Sequence, residues 1–303
     1  MRSAMAAVCM AVLIGACTTG PQGPTSALDD DAITVASFNF DESVLLAELY
    51  AQAIEARGIR VVRQMRLGPR ELVQPALRRG LVELAPEYAG SLLEFLSGRG
   101  SAAADLDTTL EDLRLALADR GLQALDPAPA QDRNVFVVTR STADRLNLDL
   151  LSDLASTQGL VLGGPLECPD RPLCLPGLEG AYGIRFADFV PLDQAGPLTT
   201  DALRRGVVDV ALLFSTSPQI VRYGFVVLED DRHLQPAENV VPVVHGEAIA
   251  RFGPELRAAL DDVSAMLTTR ELRILNGNIE RGEEPAAVAR AWLRERGLTS
   301  EPG

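Results

Sequence analysis

The groups best placed to do chemistry in this sequence are aromatic rings. Only 5% of its 303 residues are aromatic, yet the rings recur at the ends of apolar runs. Phe38 and Phe40 flank a turn in SFNFDES, and Tyr88 closes a run in APEYAGS. Phe136 opens one in RNVFVV, and Phe214 closes one in LLFSTS. Each ring taken singly reads as core. Gathered at loop edges, they would offer π-faces to an apolar or quaternary-ammonium group. Both readings stand on the sequence alone.

No catalytic constellation accompanies them. G-x-S-x-G, H-E-x-x-H, a P-loop, and G-x-G-x-x-G after the first strand are all absent. Every basic residue is arginine, which removes Schiff-base chemistry and the phosphate-binding lysine of a P-loop. His233 and His245 read as surface histidines, and Asp230-Asp231 and Glu283-Glu284 as solvated charge. The expectation is a protein that is not an enzyme and carries neither cofactor nor metal. A net charge of −14 argues against nucleic acid as a partner.

The first residues, MRSAMAAVCMAVLIGACTTG, combine one arginine, an apolar run and small residues before Cys17. That is the layout of a secretory signal, and the cysteine after small residues resembles a bacterial lipobox. A short membrane helix is the rival, but the run is brief and lacks a stop-transfer flank. The reading is a signal peptide over 1–16 and a lipidated tether over 17–32, polar and rich in Pro, Gly and Asp. Cys168 and Cys174 then remain, close together in LECPDRPLCLPG. An exported protein can oxidise such a pair, whereas a zinc site would need further ligands nearby.

The elements that must position these groups alternate. ITVASF, IRVVRQM and LVELA read as strands, separated by helices in DESVLLAELYAQAIEARG and PRELVQPALRRG. Asp41 is the expected cap of the first helix and Gly58 its stop. From Asn134 the pattern repeats: VFVVT and LVLGG as strands, DLLSDLAS as a helix, then PLTTDALRRG and VVDVALLF. Helical runs fill the C-terminal part. Such alternation predicts α/β architecture with mostly parallel sheets flanked by helices. Two stretches nearly coincide, ALRRGLVELAPEY from Ala76 and ALRRGVVDVALLF from Ala202. They are either a common amphipathic helix ending or equivalent parts of two similar lobes. In the second case each puts an aromatic at the carboxyl edge of a sheet, where α/β folds bind ligands.

At these residues the chain resembles the extracytoplasmic substrate-binding proteins of ABC importers for glycine betaine, choline and related osmoprotectants. The resemblance runs from about Ile33 to Leu298 and rests on VASFNFDESVLLAELYAQAIEARG, LGPRELVQPALRRGLVELAPEYAGS, LGGPLECPDRPLCLPGLEGAYGI, GVVDVALLFSTSPQI and VVLEDDRHLQPAENVVPVV. It implies a two-lobe, type II periplasmic-binding-protein (Venus-flytrap) fold with lobe 1 over 33–133 and 240–303 and lobe 2 over 134–239. It also implies a small-molecule ligand, an ABC permease as partner and a lipid-anchored monomer outside the cytoplasm, and export is what favours a bonded Cys168–Cys174 pair. The ligand set carried over is Phe38, Asn39, Ser43 and Tyr88 with Ser91, Phe136, Arg171 and Phe214. Tyr88 matches a cage tyrosine, and Arg171 an arginine that reaches the ligand carboxylate. Ser91 stands for a usual threonine, Phe136 and Phe214 for usual tyrosines, Ser43 for glutamine and Phe38 for lysine. These departures leave a larger or less polar solute, or a sensor role, as the alternative reading.

Overall fold

In the computed structural model, residues 31–98 and 100–299 are described. The expected signal peptide, Cys17 and nearly all of the expected tether lie outside them. Lobe 1 begins with β1 (Ala32–Ala36), α1 (Asp41–Ala56), β2 (Arg60–Gln64), α2 (Arg70–Arg78), β3 (Leu84–Tyr88), α3 (Ala89–Ser97), α4 (Leu106–Ala118) and β4 (Leu122–Ala124). Lobe 2 follows with β5 (Asn134–Val138), α5 (Arg140–Leu146), β6 (Val161–Pro165), α6 (Leu175–Gly177), β7 (Asp188–Leu192), α7 (Pro197–Arg204), β8 (Val210–Phe214), α8 (Gln219–Arg222) and β9 (Val226–Val227). The chain then returns to lobe 1 through β10 (Val240–His245), α9 (Gly246–Met266), α10 (Thr269–Glu280) and α11 (Pro285–Glu295).

The strand orders are β2-β1-β3-β10-β4 and β7-β6-β8-β5-β9. In lobe 1 only β10 runs against its neighbours, and in lobe 2 only β5 does. Each sheet is therefore mostly parallel, as expected, with one reversed strand in fourth place. That strand is the one that follows a crossing between lobes.

The sequence repeat falls at equivalent positions. Gly80 and Gly206 follow α2 and α7 with φ of +66° and +69°, a left-handed conformation that glycine adopts at little cost and that ends a helix. β3 and β8 come next, each third in its sheet, and they finish on Tyr88 and Phe214. The two-lobe reading of the repeat holds, and the coincidental one falls.

Helix α1 explains how lobe 1 is held. Residues 42–54 are all buried, because α1 lies between the sheet and the layer formed by α9 and α11. Its polar members are satisfied inside that sandwich: Tyr50 Oη lies 3.0 Å from Ser264 Oγ, and Glu48 receives Arg63. Lobe 2 has apolar clusters on both faces of its sheet.

Three local expectations change. The strand expected at LVELA starts at Leu84 and runs through Pro86, which pairs with Pro242 so that two donorless residues face one another. DLLSDLAS folds only as a 3₁₀ turn, Leu151–Ser156. Asp41 lies inside the first turn of α1 instead of capping it, with Phe40 at the N-cap and Arg66 as its ion-pair partner. No helix among the described residues is long and apolar enough to cross a membrane.

Candidate functional site

The two crossings run side by side. Gln131 bridges Asn239, the Asp132 N–H donates to the Glu238 carbonyl at 3.0 Å, and the Val240 N–H donates to Ala130 at 2.9 Å. Paired extended segments of this kind form a hinge, because rotation can be absorbed over few residues. Each also carries one carboxylate, Asp132 and Glu238.

The segment APEYAGS builds the lobe 1 side. Glu87 is fully buried and is clamped by Arg70, with Nε and a terminal nitrogen at 3.0 and 2.9 Å, and by Gln74 Nε2 at 2.6 Å. Arg70 and Gln74 are one helical turn apart and share the inner face of α2. Tyr88 Oη donates to Glu42 Oε1 at 2.6 Å. Gly90 allows the second crossing to pass close by, since an added Cβ would lie 2.8 Å from the Ala237 carbonyl. Ser91 donates its N–H and hydroxyl to the Glu238 carboxylate at 3.0 and 2.6 Å.

Three rings form a stack along this edge. Phe38 and Phe40 have centroids 5.9 Å apart, and Phe40 and Tyr88 6.5 Å. The Arg70 guanidinium lies 5.4 Å from the Phe38 ring. Phe38 and Tyr88 are buried, while Phe40 is 42% exposed and presents its ring to the cleft. Between the lobes lie two adjoining cavities of about 430 and 510 Å³ that share Gln194 and Phe214. One is lined by Ser91, Arg171 and the cysteine loop; the other is lined by Phe40, Glu42, Asp132 and Asn276.

On the lobe 2 side Cys168 and Cys174 are bonded, with Cα atoms 5.3 Å apart, within the usual disulfide range. Arg171 sits in the loop they close. It is exposed, lines the cleft, and makes no ion pair with the described residues.

The cleft is acidic. Glu42 Oε2 accepts from Asn276 Nδ2 at 2.5 Å, and Asp132 accepts from Thr216 Oγ1 at 2.8 Å. Burial, aided by the charge of Glu42, pushes the Asp132 carboxyl well above the usual range. Burial likewise raises Glu238 to about 7 in spite of its two Ser91 bonds. Burial and the neighbouring Glu42 raise the Tyr88 phenol, so at neutral pH it is a proton donor.

The structure divides the residues expected at the site. Ser91, Arg171 and Phe214 line the cleft, and Tyr88 backs the exposed Phe40. Phe136 is a correction: at 1% exposure it belongs to the lobe 2 core and lines neither cavity. Ser43 is buried and its Oγ accepts the Phe38 N–H at 2.8 Å, so it shapes the turn. Phe38 is a supporting ring beneath Phe40, and Asn39 is exposed on the turn. Sequence reasoning missed Phe40 as the outward ring, and also Glu42, Asp132, Glu238 and Asn276.

Two similar lobes hinged around an aromatic, acidic cleft define a bilobal solute-binding protein. Residues 31–295 match the family described as the substrate binding domain of ABC-type glycine betaine transport system. The chain belongs to this family, whose members are extracytoplasmic, non-enzymatic and work with ABC permease components. It is 27% identical over 270 residues to the glycine betaine-binding protein YehZ of Escherichia coli (strain K12), covering 85% of this chain and 88% of that one. Identity to the carnitine transport binding protein OpuCC of Listeria monocytogenes is 26% over 271 residues, covering 88% of this chain and 87% of that one. A crystal structure of a glycine betaine/carnitine/choline ABC transporter superposes with a TM-score of 0.81 at 26% identity, over 88% of this chain and 99% of that one. Apo YehZ from E. coli gives 0.76 at 26% identity, over the same shares.

Proposed function

We propose that this chain is a lipid-anchored, monomeric binding protein that captures a small quaternary-ammonium solute between its lobes and delivers it to an ABC permease. The observation that carries the reading is one cavity lined by Phe40 from lobe 1, Phe214 from lobe 2, and the carboxylates of Glu42 and Asp132. Aromatic faces and carboxylates together attract a positive charge too bulky for a hydrogen-bonded ion pair. Closing the hinge would bury the solute and present the closed form to the permease. Arg171, held by the disulfide loop, supplies the polar contact from the opposite lobe. Glycine betaine, carnitine and choline are bound or transported by the relatives according to their names, which makes them the first solutes to try.

A calorimetric titration with glycine betaine, choline, carnitine and proline betaine tests this. At least one should bind with micromolar or tighter affinity, and silence from all four would defeat the proposal. Anchoring is tested separately. Cys17→Ser should shift the protein from the membrane to the soluble fraction; unchanged partition into detergent would show that Cys17 carries no lipid.

A further inference from the structure

Lobe 1 buries its carboxylates beside arginine, except where they face the cleft. Glu48 pairs with Arg63, Glu83 with Arg251, and Glu87 with Arg70. Glu42 and Glu238 are also buried, at 8% exposure each, but their hydrogen-bond donors are neutral, and the charge of Arg70 reaches Glu238 without a bond. The donors are Tyr88 and Asn276 on Glu42 and Ser91 on Glu238. Asp132 likewise leans on Thr216. A buried carboxylate without a cation is costly, and a protein that retains several in one place keeps them for a cation that arrives. The three do not converge as metal ligands would: among the described residues no group of three or more His, Cys, Asp or Glu is placed to hold an ion. Glu42 and Asp132, which line one cavity together with the exposed ring of Phe40, suit the diffuse charge of an organic cation.

The groups that would neutralise a ligand carboxylate are mostly spent. Both donors of Ser91 go to Glu238. Ser43 is buried beneath the turn, where its hydroxyl oxygen accepts the Phe38 N–H, and Arg70 is bound to Glu87. Among the described residues that line the two cavities, Arg171 is the one cation, and it lies on the far lobe.

Resting on the reading of this cleft as the solute site, we propose that its ligand is a carboxylate-free organic cation of net charge +1. Its charged head lies among Glu42, Asp132 and the ring of Phe40. Arg171 then donates to a hydroxyl or other neutral acceptor at the ligand's other end. A zwitterion brings no net charge to Glu42 and Asp132. A monocation offsets one of them.

The test is calorimetry on the full chain in detergent, at pH 8, with choline, its neutral carbon isostere 3,3-dimethylbutan-1-ol, and glycine betaine. Choline should bind about 30-fold or more tighter than the isostere, and about tenfold tighter than glycine betaine. Glu42→Gln and Asp132→Asn should each cut the choline-to-isostere ratio by about fivefold. The ratio stays informative even if a variant binds everything less well. Glycine betaine binding tighter than choline, or a wild-type ratio near one, overturns the charge assignment and leaves the transport reading standing. Failure of all four quaternary-ammonium solutes named above to bind removes the transport reading and the assignment together.

Discussion

Arg70→Ala should destabilise the protein by about 3–5 kcal/mol, because it leaves a buried carboxylate without its cation. Glu87 has no exposed surface, and of its partners only Gln74 would remain. The loss should spread to the site. Arg70 lies against Phe38, and Phe38 supports Phe40 and through it the stack on Tyr88. Ligand affinity should therefore fall along with the denaturant midpoint. The double change Arg70→Met with Glu87→Gln removes both charges, keeps much of the volume, and should recover most of the stability. A single variant that unfolds within 1 kcal/mol of the parent would mean that Glu87 is hydrated in solution.

The unliganded protein should lose stability as pH rises from about 5 to 8, with Glu238 and Asp132 as the causes. Its folded value of about 7 stands above a reference of 4.5. Between those values the folded state holds a proton that the unfolded chain has already released. Stability is then greatest below the reference value and declines as pH rises through 7. The full difference is roughly 3 kcal/mol by linkage, and Asp132 acts in the same direction. Glu238→Gln should lessen the slope and raise the midpoint at pH 8. Cation binding has the opposite sign, since it favours the ionised carboxylates, so affinity should increase over the range in which stability falls. A denaturation midpoint that does not change between pH 5 and 8 would dispose of the argument.

The fold was legible where the sequence repeats a physical device. An amphipathic helix closed by Gly80 or Gly206, a buried strand and a terminal ring recur in both halves, and both copies take the same place in their sheets. Of the residues carried over from the family resemblance, Ser91, Arg171 and Phe214 line the cleft. The turn SFNFDES was not legible, because strand alternation stops there. Nothing local says that Phe40 faces out while Phe38 packs beneath it. Phe136 misled because an apolar run buried on both faces hides every ring in it. The carboxylates were invisible for a different reason. Glu42, Asp132 and Glu238 differ from Glu48, Glu83 and Glu87 in lacking a bonded arginine, and that depends on elements far apart in the chain.

The position of β10 governs how this protein comes to be folded. Val240 pairs with Tyr88, so the lobe 1 sheet cannot close until the whole of lobe 2 has been synthesised. Lobe 2 draws its five strands from one unbroken run and can nucleate without waiting. Once formed, it brings Gln131 beside Asn239 and shortens the loop that lobe 1 must close, which lowers the entropy of the last pairing. Distant pairings of this kind form slowly. Until β10 arrives, β3 carries an open edge on which a wrong strand could add. The same delay suits an extracytoplasmic protein, whose chain must cross a membrane before its first sheet locks.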